Sequence, residues 1–394
     1  MHGRQFSLRI SLFYLTSFLV FGIFLPFFPL WLQARGLSSR EIAIAMAAPM
    51  AARIVIVPLM TLAADRMGDR RLIVGVCALA ALAALCAMPA ASGFGALLLL
   101  AILYTGAMTP VTPIVESIAV EGASRLAVDY GRMRLWGSLS FIGGSIGAGV
   151  LLDAVTPSGV IWLLVGACAL MVVSAGLLPG RARERNIPKP SAAGLARFGA
   201  ALFAAPQFLL FVVAAGAVMS SHAVFYAFGS VHWRTLGFDG PTIGLLWATG
   251  VAAEVALFAF AARLVAPIPA PLLLLGGAAG GVVRWTVTAI DPPLALLLPL
   301  QTLHALSFAA THLGAMKFLQ SAVPAHLASF GQGLYFAVAS GLFMGLALFA
   351  AGPLYAAFAG RAYLAMALLC AGGAIFAAGL NRRWQGGLVV RASA

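Results

Sequence analysis

The stretch Glu116–Trp136, ESIAVEGASRLAVDYGRMRLW, decides how the chain is read. It begins as an apolar helix with one carboxylate, Glu116, that has the look of a buried group. It passes through a charged turn holding Arg125 and Asp129. It then re-enters apolar sequence by way of Arg132, Arg134 and Trp136. A carboxylate and a guanidinium near facing ends of consecutive membrane helices are costly in lipid, so they need a reason. The rest of the chain is read as scaffold for that pair and for a matching group in the second half.

Of the 394 residues, 62% are hydrophobic and 9% charged, with a mean hydropathy of +1.02. A soluble domain is about a quarter charged, so this chain lacks the polar residues to cover a water-exposed globule and must sit in a lipid bilayer. Backbone groups in hydrocarbon must be satisfied internally, which leaves helices or a closed barrel. The apolar runs have the length of helical spans, about 20 residues, and do not alternate as barrel strands do.

The net charge of +13 marks cytoplasmic loops rather than nucleic-acid binding, because no basic stripe is interleaved with exposed aromatics. Cys77, Cys86, Cys168 and Cys370 fall inside spans, form no CxxC and read as packing residues, with no metal site. The N-terminal apolar run continues past Phe28 without a small-residue cleavage site, so it reads as the first span. No nucleophile triad, phosphate loop or Walker sequence is present, which argues against an enzyme, a cofactor and ATP hydrolysis within this chain.

Hydropathy predicts an all-α polytopic membrane protein with twelve transmembrane helices. They lie roughly at 8–34, 41–64, 72–91, 95–121, 133–153, 159–179, 207–232, 241–265, 271–290, 294–319, 327–351 and 355–380. The polar connection GRARERNIPKPSAAGLAR, from Gly180 to Arg197, suggests two pseudo-symmetric six-helix halves: 1–180, a cytoplasmic linker at 181–206, and 207–394. Of the Lys and Arg residues, eighteen fall on one side and four (Arg35, Arg40, Arg234 and Arg361) on the other. That bias predicts both termini in the cytoplasm.

An internal repeat supports the halves. Gly36-Leu37 leads to Ile42 and Ala51-Ala52-Arg53; at identical spacing Gly237-Phe238 leads to Ile243 and Ala252-Ala253-Glu254. Tyr130-Gly131-Arg132 has a counterpart in Phe330-Gly331-Gln332. Related halves imply a central cavity near the bilayer midplane. The repeat makes Arg53 and Glu254 equivalents of opposite charge and sets Arg134 opposite Leu334.

The loop ADRMGDRR, Ala64 to Arg71, resembles the major facilitator signature G-x-L-A-D-R-x-G-R-K. Thr61 stands where the first Gly belongs, and Asp69 replaces the first basic residue. The resemblance implies a conformational latch at Asp65, Arg66, Gly68 and Arg70. Gly143, Gly144, Gly147 and Gly149 read as helix-packing positions. Pro26, Pro29, Pro110 and Pro113 are expected to bend spans one and four. Trp31, Trp233 and Trp384 suit interfacial positions.

Few ionisable groups lie deep. Glu116 and Arg134 can pair across spans four and five, either to recognise substrate or to brace two helices. Glu254 lies mid-span on the eighth helix. A lone carboxylate there is costly when charged, and taking up a proton relieves that cost, which is what proton coupling requires. Arg284 is its best candidate partner, with Arg53 an alternative that could also bind a substrate anion. On span ten, His304 and Ser307 share a face, and His312 lies two turns on, rotated by roughly 80°. These histidines favour a proton or substrate path. His222, beside Phe225 and Tyr226, is a weaker candidate. Trp136, with Phe21, Phe24 and Phe28, could line an apolar cavity.

GIFLPFFPLWL, DYGRMRLWGS and LHALSFAATH together resemble the 3-phenylpropionate permease-like branch of the major facilitator superfamily, itself similar to the lactose permease group of proton symporters. In that pattern a Glu on span four and an Arg opening span five recognise substrate, and these match Glu116 and Arg134. A Glu on span eight, an Arg on span nine and a His on span ten match Glu254, Arg284 and His304. The second acidic residue of span ten is Ser307 here, which shifts the expected proton route to Glu254 with His304. The resemblance implies a monomeric inner-membrane symporter working by alternating access, with protons and a small organic molecule as partners. An aromatic monocarboxylate such as 3-phenylpropionate is the expected substrate, held by Arg134 or Arg53. A sugar or nucleoside symporter, an efflux transporter and a non-transporting receptor are the alternatives.

Overall fold

The computed structural model describes residues 2–67, 69–180 and 192–390, with the backbone alone at 52–55, 57–59, 61–67, 155, 192–193 and 262. The described residues form helices and no β-strand: α1 (Gly3–Ala34), α2 (Ser39–Met67), α3 (Arg70–Ala87), α4 (Gly93–Met108), α5 (Val111–Leu126), α6 (Tyr130–Leu177), α7 (Ala192–Ala204), α8 (Pro206–Ser220), α9 (Ala223–Thr235), α10 (Gly240–Ala259), α11 (Ala261–Leu264), α12 (Ala270–Thr288), α13 (Leu294–Gln301), α14 (Thr311–Ala322), α15 (Ala328–Phe336), α16 (Met344–Phe358) and α17 (Tyr363–Arg383). Among the described residues, ten segments are long and apolar enough to cross a bilayer. The last of them, Ala325–Arg383, is 59 residues long and is broken at Ala359, where φ is 47°.

Two breaks in the helices fall beside proline. Span four is divided, with α4 ending at Met108 and α5 starting at Val111 around Pro110. Spans five and six are separate, as expected: α6 comprises two helices that meet at Thr156 (φ 62°, ψ 164°), immediately before Pro157. At Pro157 the ring crowds Thr156 out of the helical region, whereas at Pro110 the missing N–H interrupts the helical hydrogen bonds while Thr109 stays helical (φ −61°, ψ −42°).

The chain forms two compact units, one of Met1–Arg185 with Tyr226–Ala248 and the other of Asn186–Phe225 with Thr249–Ala394. In the first, α1 lies close along α6. A Cβ at Gly22 would stand 2.6 Å from the Phe141 carbonyl oxygen, so a side chain there would force the helices apart. Serine hydroxyls stitch the same seam: Ser140 Oγ donates to Leu15 O at 2.5 Å and Ser145 Oγ to Gly22 O at 3.1 Å. The start of α10 packs on α6 just as closely. A Cβ at Gly149 would clash with the Gly240 carbonyl, and one at Gly244 with that of Ser145. Asp153 accepts hydrogen bonds from Arg234 Nη1 at 3.0 Å and from Gly240 N at 3.2 Å beside this crossing.

The repeated segments share a turn geometry. Gly36 and Gly237 have φ of 83° and 87°, a left-handed conformation in which glycine avoids the Cβ penalty. Leu37 N bonds back to Leu32 O, and Phe238 N to Trp233 O, so both preceding helices close in the same six-residue C-terminal motif. Ile42 and Ile243 are both buried at the start of the next helix.

The core of the second unit is aromatic. Phe211 stacks on Phe318 at 4.2 Å, with Phe208, Tyr335 and the α7 residues Phe198 and Leu202 around them. Trp384 packs on Phe318 at 4.7 Å. Trp31 and Trp233, expected at the membrane interface, are instead buried, each at 1% exposure. Their rings have packing partners: Trp31 stacks on Phe28 at 5.7 Å.

Candidate functional site

Ionisable side chains gather at two places, one in each unit. In the first, Glu116 sits on α5 and Arg134 one turn into α6. The α5–α6 turn is short because Ala127 takes a left-handed conformation and Asp129 caps the new helix by accepting from Arg132 N at 3.1 Å. Arg134 Nε then donates to Glu116 Oε1 at 3.2 Å, and the Tyr130 hydroxyl donates to Glu116 Oε2. The guanidinium lies over the Phe18 ring at 4.1 Å and the Tyr14 ring at 5.5 Å, a favourable cation–π geometry. Among the described residues, Nε is the only part of Arg134 that makes a hydrogen bond. Nη1 and Nη2 make no hydrogen bond among the described residues, and Nη1 lies beside Gly137. Both members of the pair keep partial exposure, 32% for the Arg134 side chain and 27% for Glu116.

In the second unit Arg284 of α12 is 1% exposed. Its Nη1 donates to His304 Nδ1 at 3.0 Å and to Ser307 Oγ at 3.4 Å, and its Nη2 donates to Gln301 Oε1 at 2.8 Å. The guanidinium also lies over Trp285 at 4.3 Å and Phe225 at 4.8 Å. His304 Nε2 stands 3.4 Å from Glu254 Oε2. His222 completes the cluster through Nε2, 3.2 Å from Ser307 Oγ, and Nδ1, 3.1 Å from Met219 O.

Hydrogen-bond chemistry assigns the protons. A guanidinium only donates, so His304 Nδ1 accepts and carries no hydrogen. Neutral His304 therefore has its hydrogen on Nε2, directed at the Glu254 carboxylate. A carbonyl only accepts, so His222 Nδ1 carries the hydrogen toward Met219 O. Ser307 then has two acceptors for its one hydroxyl proton, His222 Nε2 and Leu303 O at 3.2 Å.

The backbone explains why span ten can do this. Residues Ala305–Ala310 form a π-helix between α13 and α14, a wider turn often found at functional sites. It alters the rotation expected from regular α-geometry. The His304 ring stacks on Phe308 at 5.1 Å, and Phe308 on His312 at 6.5 Å, so His312 joins the same ring column. Phe258 packs edge-on to His312 at 6.3 Å.

Several expected residues stand elsewhere. His222 belongs to the Arg284 cluster rather than to the surroundings of Arg134. Trp136 is 48% exposed and lies two residues past Arg134, a spacing that faces another side of the helix. Arg70 Nη1 pairs with Glu121 Oε2 at 3.0 Å, one helical turn beyond Glu116. The side chains of Arg53, Asp65 and Arg66, and the whole of Gly68, lie outside the described residues. Tyr14, Phe18, Tyr130 and Gln301 are additions that sequence reasoning missed. Tyr130 stood in DYGRMRLWGS and Gln301 two residues before LHALSFAATH, and only their neutrality hid them.

Comparison with known proteins adds the following. A family model described as the MFS_1 like family matches residues 7–365. The probable 3-phenylpropionic acid transporter of Escherichia coli K12 is 30% identical over 363 residues, covering 91% of this chain and 94% of that protein. The maltose permease of Geobacillus stearothermophilus is 26% identical over 339 residues, covering 84% and 83%. Among solved structures, the nucleoside transporter NupG superposes with a TM-score of 0.80 at 14% identity, over 96% of this chain and 99% of that one. A bacterial homologue of the lysosomal transporter Spinster, inward-facing and unoccupied, superposes with a TM-score of 0.71 at 15% identity, over 95% and 96%.

Proposed function

This chain belongs to the MFS_1 like family of membrane transporters, and on that premise we propose that it is a proton-coupled symporter of an aromatic monocarboxylate such as 3-phenylpropionate. It is a multi-pass transporter of the major facilitator type and not an enzyme. The observation that carries the proton coupling is His304 seated between Arg284 and Glu254. A carboxylate whose neighbouring imidazole is held neutral by a permanent cation is the group that accepts the transported proton. Protonation of Glu254 weakens its tie to His304 and so links proton uptake to the α10, α12 and α13–α14 contacts.

The substrate assignment rests on Arg134 and on the relative that is 30% identical. An Nη1–Nη2 edge without hydrogen bonds among the described residues suits bidentate binding of a carboxylate, and the Phe18 and Tyr14 rings beside it suit an aryl group. Arg53 is kept as a second cation for the substrate. In this reading the chain crosses the bacterial inner membrane twelve times, as a monomer, with both termini in the cytoplasm. The ten apolar segments, α2 with its 29 residues, and the break at Ala359 support that count. Halves at 1–180 and 207–394, joined by 181–206, move by alternating access. Asp65, Arg66, Gly68 and Arg70 form the cytoplasmic latch, to which the Arg70–Glu121 bond contributes.

The test is direct. Substrates are added to de-energised proteoliposomes and external pH is recorded. Alkalinisation on adding 3-phenylpropionate supports the proposal; transport without any pH change sinks the coupling. A sugar or nucleoside symporter is the second reading, favoured by the maltose permease relative and by the polar Glu116–Tyr130 group, which could accept and donate to hydroxyls. Alkalinisation with maltose or uridine but not with the acid selects it.

A further inference from the structure

The Tyr14 ring is 1% exposed, and its hydroxyl makes no hydrogen bond among the described residues. Leaving a buried hydroxyl without a partner is costly, so its retention calls for an explanation. Tyr14 already stands close enough to interact with Glu116 and Tyr130 through the hydroxyl, short of hydrogen-bond geometry, and the Arg134 guanidinium rests 5.5 Å above its ring. The other hydroxyl of the group, that of Tyr130, is already committed to Glu116 Oε2. Glu116 Oε1 takes Arg134 Nε. Tyr14 thus holds an uncommitted donor next to a carboxylate whose present donors are all in use.

We propose that Tyr14 is a positioning residue that receives the Glu116 carboxylate when a substrate anion takes Arg134. The inference rests on the reading of Arg134 as the partner of the substrate's carboxylate. An incoming carboxylate competes with Glu116 for the same guanidinium, since two anions on one cation repel. Glu116 released from Arg134 would be a half-buried charge with one remaining donor, Tyr130. A short movement brings Oε1 to the Tyr14 hydroxyl, so the carboxylate keeps two donors throughout. The exchange trades Glu116–Arg134 for Glu116–Tyr14 plus substrate–Arg134, and no buried charge is stranded. Without Tyr14, displacing Glu116 carries the full cost of a missing donor, and carboxylate substrates bind more weakly.

Two double-mutant cycles test this, the first without any substrate. Thermal unfolding of the purified protein is measured at pH 8 for wild type, Tyr14→Phe, Arg134→Gln and the double variant. Tyr14→Phe alone should shift the melting temperature by no more than about 1 °C, and in the Arg134→Gln background should lower it by about 3 °C or more. Equal shifts in both backgrounds overturn the proposal. In the second cycle, 3-phenylpropionate binding is measured for Tyr14→Phe with Glu116 present and with Glu116→Gln. The expected result is a loss of affinity of about tenfold with Glu116 present and none in the Glu116→Gln background, where no charge needs receiving. An equal loss in both backgrounds means that Tyr14 contacts substrate directly and overturns the receiving role. If Arg134→Gln binds the acid as well as wild type, the carboxylate reading of Arg134 falls, and the unfolding cycle still decides the role of Tyr14.

Discussion

His304 Nδ1 accepts a hydrogen bond from Arg284 Nη1 at 3.0 Å. Because the donor is a permanent cation, this bond keeps His304 neutral and turns its Nε2–H toward Glu254. On the proposed symport reading, the transported proton is assigned to Glu254. Glu254→Gln retains the shape and a hydrogen-bond acceptor but cannot take up a proton. We expect accumulation against a gradient to be lost, while exchange of internal for external substrate stays within about twofold of wild type, because a coupling variant leaves binding intact. Counterflow and active uptake in the same vesicles separate the two. Accumulation surviving in Glu254→Gln would move the coupling site elsewhere.

Arg134→Lys keeps the charge and removes the fork. The lysine ammonium is a point charge, and the paired Nη donors disappear. Stacking of a planar guanidinium on Phe18 at 4.1 Å is lost with them. Affinity for a carboxylate substrate is expected to fall at least about tenfold, which corresponds to about 1.4 kcal/mol. A neutral amide analogue of the same substrate, already weak, should change much less. Equilibrium binding of the acid and its amide to the two proteins checks both halves of the expectation.

Charge made the outline of both clusters legible in the sequence. Glu116, Arg134, Glu254, Arg284 and His304 stand out because each interrupts an apolar run where a charge is costly. Their contacts were less legible. Arg284 was expected as the partner of Glu254, and His304 bridges the two through Nδ1 and Nε2. That arrangement depends on the π-helix at Ala305–Ala310, and no periodicity count with 3.6 residues per turn can place a side chain across it. Tyr14 and Phe18 were hidden for another reason: among 26 Phe and 7 Tyr, nothing in the sequence separates a ring under a guanidinium from one packed in the core. The spans and the bend at Pro110 were readable from the sequence; that spans five and six join through a single non-helical residue, Thr156, was not, because hydropathy does not report backbone angles.

Asp239, in the turn before α10, accepts from Thr242 N at 2.9 Å. The Thr242 hydroxyl and backbone N–H together hold its carboxyl below the usual carboxylate range. A lowered folded-state value means that the stabilisation is complete at neutral pH and is lost as the solution falls through that lowered value. Asp239→Ala should therefore lower the melting temperature at pH 7. The gap between the variant and wild type should narrow as the pH falls below the ordinary aspartate value of about 3.9 toward the lowered folded-state one. Melting curves for the two proteins at pH 7 and pH 3 give the comparison, and a gap independent of pH would assign the effect to the side chain's bulk instead.

Gly149 and Gly143 lie on the same helix, α6, six residues apart, and make opposite demands. A methyl group at Gly143 would meet nothing within 4 Å, whereas one at Gly149 would run into the Gly240 carbonyl. Both substitutions raise intrinsic helix propensity by about 1 kcal/mol, so propensity cancels in the comparison and the α6–α10 contact decides the sign. Gly143→Ala should be neutral or slightly stabilising. Gly149→Ala must separate two backbones that also share the Asp153–Arg234 and Asp153–Gly240 hydrogen bonds, and overpacking of this kind costs about 1–3 kcal/mol. We expect a lower melting temperature for Gly149→Ala alone. Combining it with Asp153→Asn should then cost less than the sum of the single changes, because both act on one crossing. Full additivity would show that the glycine contact and the aspartate clasp hold α6 and α10 independently.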